Sequence, residues 1–99
     1  MKMIFVVHDE HYASKVLELL HAAGIDYFTR WDQAIGKGHG TEPHLGRGTY
    51  ASTNSVMMIA FPDEEPLARL IEKIGAANAE IKRASDRIRL FQLPLERMI

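Results

Sequence analysis

The sequence predicts an α+β domain whose elements follow the order β-α-β-β-α-β. Three observations predict it. The chain has 99 residues, which is the usual length of one domain, so we expect a single domain over residues 1–99. Short runs rich in β-branched and aromatic residues indicate strands, and two amphipathic patterns between them indicate helices. Two right-handed β-α-β crossovers in this order give a four-stranded antiparallel sheet with both helices on one face, the ferredoxin-like sandwich.

The first half of the chain predicts a strand, a helix and a second strand. Residues 1–7 ("MKMIFVV") form an apolar run typical of a buried central strand. Asp9 is then a candidate N-cap, apolar side chains recur at helical spacing, and Gly24 is a stop signal. Residues 25–35 alternate roughly between apolar and polar side chains, which predicts the second strand.

The second half predicts a strand, a helix and a last strand. Residues 53–61 ("TNSVMMIAF") indicate the third strand, and Asp63 is the candidate N-cap of the second helix. Residues 87–93 ("RIRLFQL") indicate the last strand, which Pro94 ends. The sheet face without helices needs a cover, and we expect another subunit to provide it. The apolar stripe of the second helix consists of Leu67, Leu70, Ile71 and Ile74.

Composition excludes several classes of protein. The net charge is −1, so the basic excess of a general nucleic-acid binder is missing and we expect no nucleic-acid partner. The chain has no cysteine, which favours a reducing, cytoplasmic location. No apolar run reaches the ~18 residues of a membrane span, and the N-terminus is a poor signal peptide. We therefore expect no membrane insertion.

A long segment separates the second and third predicted strands. It reads "IGKGHGTEPHLGRGTY" from Ile35 to Tyr50 and contains five glycines, whereas a plain hairpin needs about two to five residues. We call residues 36–52 the glycine-rich loop and expect it to be flexible. Gly36 and Gly38 allow backbone N–H groups to approach an anion, and Lys37 adds a positive charge. A mobile loop tip would have the same composition, so both interpretations stay open.

Three stretches resemble the P-II signal-transduction superfamily, and together they span nearly the whole chain. "MKMIFVV" with "VLELLHAAGI" resembles its first strand and helix, "AIGKGHGTEPHLGRGTY" its T-loop, and "IRLFQLPLERMI" its last strand. The resemblance implies a homotrimer that binds ATP, ADP and often 2-oxoglutarate in clefts between subunits. It also implies T-loops that contact transporters, enzymes or transcription factors.

The chain departs from this superfamily before its last strand. The family has a Gly-Asp-Gly-Lys-like turn that holds phosphate there, whereas this chain reads "NAEIKRASDRIRLF", with no glycine after Gly75. The resemblance is therefore to a PII-like relative. Basic side chains crowd this stretch instead, and arginine suits phosphate, although a solvated strand would also carry them. The predicted ligand-binding residues are Gly36, Lys37, Gly38, Lys82, Arg83, Arg87 and Arg89.

The loop histidines support an alternative. His39, Glu42 and His44 lie within six residues of one another, and imidazole with carboxylate suits zinc, copper or nickel. No paired histidine motif on a rigid element accompanies them, so solvated loop histidines are the competing interpretation. The cofactor stays open between an ATP- or ADP-type nucleotide and a divalent metal.

No catalytic site is predicted, because the chain lacks a cysteine nucleophile and its acids sit at helix starts, where capping explains them. Trp31 is expected to pack in the core or an interface. We expect a non-enzymatic, PII-like regulator of nitrogen-regulatory type that senses an adenine nucleotide or similar anion between subunits. Its partner protein, a membrane transporter being one example, would contact residues 36–52. The alternative is a CutA-like trimer that binds metal or serves metal homeostasis.

Overall fold

The computed structural model describes residues 1–40, 43–46 and 52–99. Its elements follow the predicted order. They are β1 (Lys2–Asp9), α1 (Ala13–Ala22), β2 (Thr29–Ala34), β3 (Asn54–Phe61), α2 (Glu64–Glu80) and β4 (Arg89–Pro94). Short 3-10 turns at Glu10–Tyr12 and Ala84–Asp86 precede α1 and β4.

The four strands form one antiparallel sheet in the order β2-β3-β1-β4. In the central pair, Lys2 lies opposite Phe61 and Asp9 lies opposite Asn54. On the other side of β1, Val7 lies opposite Arg89. The end of β1 therefore meets the start of both neighbouring strands, and this corner of the sheet positions the site described below.

One face of the sheet carries the core. Alternate residues of β1 and β3 are buried, as a strand with one covered face requires. They join apolar residues of both helices in one cluster, which confirms the predicted sandwich with α1 and α2 on the same face. Ile71 was predicted in the stripe of α2 but is 44% exposed. It follows the buried Leu70 directly, and about 100° of helical rotation carries it out of the contact.

The opposite face of the sheet is apolar, and no helix of the described residues covers it. By strand register, Trp31 lies beside Val56 and Val7, and Phe91 lies beside Phe5. Trp31 is 49% exposed and Phe91 is 52% exposed, so within one chain Trp31 lies outside the core. We call this surface the open face. Its apolar residues are Met3, Phe5, Val7, Trp31, Val56, Met58, Ala60, Phe91 and Leu93.

The second strand is shorter than predicted. Residues 25–28 precede β2, and Ile25 is buried in the core, where its N–H donates to Leu20 O at the end of α1 (2.9 Å). The pairing of β2 with β3 is also irregular between Trp31 and Ala34. Gln33 there has φ +60°, a left-handed conformation that residues with a side chain seldom adopt. The irregularity ends the strand just before the glycine-rich loop.

The two predicted caps have different outcomes. Asp9 caps the 3-10 turn, since its Oδ1 accepts a hydrogen bond from His11 N (2.8 Å), and α1 itself begins at Ala13. Asp63 occupies the N-cap position of α2 but its side chain makes no capping hydrogen bond. Among the described residues, no helix combines the length and apolar character that crossing a membrane requires.

Candidate ligand-binding cavity

The foot of the glycine-rich loop is closed by a short backbone bridge. Gly36 N donates to His44 O (2.9 Å), and His44 N donates to Gly36 O (2.7 Å). A Cβ on Gly36 would lie 3.1 Å from Asn54 Nδ2, so the absence of a side chain permits this close approach. Just before the bridge, Gln33 N donates to Glu10 Oε1 (2.6 Å). The start of the loop is thus joined to His44, and the chain just before it is joined to Glu10 after β1.

A cavity of about 250 Å³ opens beside this bridge, between the loop foot, the end of β1 and the start of β4. It brings together five of the predicted ligand-binding residues, which are far apart in sequence. Gly36, Lys37 and Gly38 line it from the loop, and Arg87 and Arg89 line it from the other side. The structure therefore places backbone and cationic groups from both predicted regions around one space.

The cationic groups of this cavity have no acidic partners within the described part of the chain. No carboxylate of residues 1–40, 43–46 or 52–99 forms an ion pair with Lys37, Arg87 or Arg89. Two of them donate long hydrogen bonds to backbone oxygens, Lys37 Nζ to Gly38 O (3.4 Å) and Arg87 Nε to Ile81 O (3.5 Å). All three side chains are exposed, so their charges are available to an anion.

Lys82 and Arg83 lie elsewhere. They line a second, larger cavity of about 940 Å³ between the two helices, together with Lys15 and Lys73. The chain before β4 is held in place by Asn78, whose Oδ1 accepts from Ile88 N (2.8 Å) and whose Nδ2 donates to Ile88 O (2.7 Å). This arrangement separates Lys82 and Arg83 from the arginines that follow.

The cavity also contains buried acidic and imidazole groups. Asp9 accepts from His11 N and contacts His11 Nδ1 through the same oxygen (2.8 Å each), while its Oδ2 lies 3.4 Å from His44 Nδ1. Burial by itself raises the pKa of Asp9. Hydrogen bonds from His11 and Ser52, with the nearby imidazoles, outweigh burial and leave that pKa below its usual value. Asp9 is therefore an anion at neutral pH.

His8 is the most enclosed of the imidazoles, with a side chain only 1% exposed. Its Nδ1 donates to Asp9 O (2.7 Å). Its Nε2 is buried without a hydrogen-bond partner in the described chain. Burial lowers the pKa of His8, and the hydrogen bond to Asp9 O offsets this only in part. The ring is neutral at pH 7.

The residues named as alternative metal ligands do not form one cluster among the described residues. His39 is exposed, and Glu42 lies outside the described residues. His44 is buried, and one of its ring nitrogens lies within 4.8 Å of carboxylate oxygens of Asp9 and Asp86. Sequence reasoning missed both acids as site residues. The sequence indicated Asp9 only as a candidate N-cap. Nothing in the sequence indicates that Asp86 approaches Asp9, which lies more than 70 positions earlier.

The fold and the cavity define a class: a ferredoxin-like domain with a basic cavity at the foot of a glycine-rich loop. Neither the protein-family models nor the curated protein sequences include a match to this chain. Solved structures do match. CPII bound to ADP and bicarbonate, from Thiomonas intermedia K12, superposes with a TM-score of 0.68 at 18% identity, covering 97% of this chain and 88% of that one.

A second structure from the same organism agrees. CPII described as a nitrogen regulatory PII-like protein, bound to ADP, AMP and bicarbonate, has a TM-score of 0.67 at 19% identity, with coverage of 97% and 88%. A further CPII structure gives 0.62 at 18% identity, with coverage of 93% and 90%. The fold of this chain is that of the PII-like proteins, which confirms the predicted resemblance at the level of fold.

Proposed function

We propose that the protein is a PII-like regulator that senses an adenine nucleotide, or a similar anionic metabolite, at the cavity below the glycine-rich loop. One observation carries the proposal: the cavity joins Gly36, Lys37 and Gly38 to Arg87 and Arg89. The proposal is also supported by the CPII structures, which have the same fold and hold ADP, AMP and bicarbonate. The protein acts by binding and carries no catalytic role.

The chemistry of the cavity suits a phosphate or carboxylate group. Three cations that pair with no carboxylate of the described residues surround it, and each charge-assisted hydrogen bond to an anion contributes about 1.5–3 kcal/mol. The two arginines replace the glycine turn of the superfamily. They offer planar guanidinium groups where the superfamily offers backbone N–H groups.

A single subunit encloses only part of such a ligand. The cavity of about 250 Å³ is below the roughly 300–1,000 Å³ that small-molecule sites usually occupy. The open face provides the apolar surface through which other subunits would pack and complete the site. We therefore place the ligand between subunits of a homotrimer.

The glycine-rich loop would transmit the signal. A ligand that contacts Lys37 and Gly38 touches the chain immediately after the Gly36–His44 bridge. It can therefore favour one conformation of residues 36–52 over others, and a partner protein would recognise that conformation. A membrane transporter is one partner of this kind.

The proposal is tested by calorimetry with ADP, AMP, ATP and bicarbonate. Arg87→Gln or Arg89→Gln should weaken anion binding about tenfold to a hundredfold, the equivalent of about 1.5–3 kcal/mol. Lys82→Gln is the matched control, since it removes a nearby cation that lies outside this cavity. Equal losses in all three variants would favour the larger residue set predicted from sequence. No binding of any of these ligands at millimolar concentration would contradict the proposed function.

A further inference from the structure

We propose that Asp9, His44 and Asp86 form a binding site for a divalent transition-metal ion such as Zn²⁺. The three residues come from the end of β1, the glycine-rich loop and the turn before β4. One donor atom from each lies within 4.8 Å of the others. This site differs from the predicted set of His39, Glu42 and His44, and it shares only His44 with that set.

The donor atoms match the ion. Imidazole nitrogen and carboxylate oxygen are both zinc ligands, at about 2.0–2.2 Å from the metal, which places tetrahedral ligands about 3.3–3.6 Å apart. His44 Nδ1 already lies 3.4 Å from Asp9 Oδ2. His44 Nδ1 also donates a hydrogen bond to Asn54 Oδ1 (2.6 Å), so a bound ion would take the place of this proton on the nitrogen. The other donor atoms, now within 4.8 Å of one another, would have to approach to about 3.3–3.6 Å.

Electrostatics favours a cation at this position. The carboxylates of Asp9 and Asp86 approach each other within 4.8 Å, and Asp9 is 5% exposed. Two like charges at this separation repel, more strongly where water is excluded. Arg83 Nε, at 3.9 Å from Asp86 Oδ2, offsets part of this repulsion. A dication between the two carboxylates would offset it more completely.

A second, independent observation comes from His8. Its side chain is 1% exposed and lines the same cavity as Asp9 and His44. Its Nε2 has no hydrogen-bond partner in the described residues. Buried polar atoms in native proteins rarely lack a partner unless a water, ion or ligand supplies one. His8 Nε2 therefore calls for an ordered water or ligand, and the cavity that His8 lines is where one would be held.

The ion would connect three segments that meet at this corner. It would fix His44, and with it the loop foot, to the end of β1 and to the turn before β4. Asp86 is the best position for a test, since it is partly exposed in a short turn and a change to asparagine should leave the fold intact.

The experiment is a titration of chelator-stripped protein with Zn²⁺, followed by calorimetry and by equilibrium dialysis with metal analysis. We expect one saturable ion per chain, and at least a tenfold loss of affinity in Asp86→Asn and in His44→Asn. His39→Asn and His21→Asn, which change exposed histidines on the loop and on α1, should bind Zn²⁺ as the unmodified protein does. Thermal unfolding in EDTA checks that each variant is folded.

Three results would overturn the proposal. They are absence of saturable Zn²⁺ binding, unchanged affinity in folded Asp86→Asn, and a loss in His39→Asn as large as that in His44→Asn. The last result would assign the ion to solvated loop histidines. Nucleotide and bicarbonate titrations in EDTA are measured separately, so failure of the metal site and failure of the proposed anion site are distinguishable.

Discussion

The cavity lies between two connections that are held in different ways. We call the glycine-rich loop the loop wall and the segment from α2 to β4 the arginine wall. The glycine-rich loop joins β2 to β3, and its foot is held by two backbone hydrogen bonds between Gly36 and His44. The connection from α2 to β4 has no glycine, and the side chain of Asn78 fixes it through both polar atoms of the Ile88 backbone. The loop wall is held by backbone atoms at one point, whereas the arginine wall, which carries Arg87 and Arg89, is held by a side chain of α2. Under the proposed function, anion binding would depend on the side chains of Arg87 and Arg89, and the glycine-rich loop would respond to the bound ligand.

The largest effect should come from removing the neighbouring subunit that would complete both walls. Light scattering should give about three times the chain mass of 11.2 kDa if the superfamily's trimer forms. Leu93→Asp places a charge on the open face, outside the lining of the cavity, and should give monomers, together with loss of anion binding. Ile71→Asp changes an equally exposed apolar residue on the helix side and should leave the mass unchanged. A monomeric unmodified protein at micromolar concentration would contradict this assembly.

The free energy of unfolding should depend more on a single side chain in the arginine wall than in the loop wall. Asn78→Ala leaves the N–H and the carbonyl of Ile88 without their partners, and it should cost about 2–4 kcal/mol of the free energy of unfolding. Urea unfolding monitored by circular dichroism measures this loss. Gln92→Ala, at an exposed position in β4, is the control and should change stability by less than about 0.5 kcal/mol. Equal stability of both variants would show that the Asn78 hydrogen bonds do not hold the arginine wall in place.

A glycine in the loop wall should respond to substitution differently from a glycine inside a helix. Gly36→Ala puts a Cβ 3.1 Å from Asn54 Nδ2, and the Asn54 contact with His44 limits how far that side chain can move. We expect a loss of about 1 kcal/mol. Gly75→Ala, inside α2 with nothing within 4 Å of the new Cβ, should instead gain about 0.5–1 kcal/mol. Denaturant midpoints compare the two, and a gain in both would mean that the loop foot is not tightly packed.

The smallest effect should appear as a pH dependence from His8, which lies where the two walls meet. Burial lowers its pKa, with smaller effects from the backbone of Asp9 and from the charges of Arg30, Asp9 and Asp32. The unfolded chain therefore binds a proton at higher pH than the folded protein does. Stability should fall as the pH drops below about 6.5, the ordinary histidine value.

Thermal midpoints between pH 7 and pH 5, measured in EDTA, test this dependence. His8→Asn should flatten the curve over that interval, because no imidazole remains at this position to titrate. His21→Asn, at an exposed position, should leave the curve unchanged. A curve for His8→Asn that still falls as steeply as that of the unmodified protein would assign the pH dependence to another group.

Sequence patterns predicted the architecture well because it depends on local periodicity. The alternation in β3 and the apolar spacing in α2 are properties of neighbouring residues, and both elements appear where expected. The start of β2 was predicted four residues too early, since Ile25 is apolar for a different reason: it packs into the core at the end of α1. Ile71 was misassigned because composition alone does not fix the width of a helical stripe.

The candidate site was predictable only in part. The glycines and arginines carried compositional signals, so Gly36, Lys37, Gly38, Arg87 and Arg89 could be named before any geometry was known. These five residues share one cavity, whereas Lys82 and Arg83 line another. The difference depends on the path of the chain before β4, which Asn78 and the 3-10 turn determine. The approach of Asp86 to Asp9 and His44 is a long-range contact, and no periodicity in the sequence encodes it.

The Gly36–His44 bridge makes the sequence of the segment that it closes largely independent of the sheet. Because both ends are joined at one point, the chain between Gly38 and His44 can change in length or charge without shifting the strand register behind it. Doubling the length of such a closed segment costs only about 0.6 kcal/mol of closure entropy. Insertions in this segment should therefore disturb the sheet and the cavity at its base less than insertions elsewhere between β2 and β3.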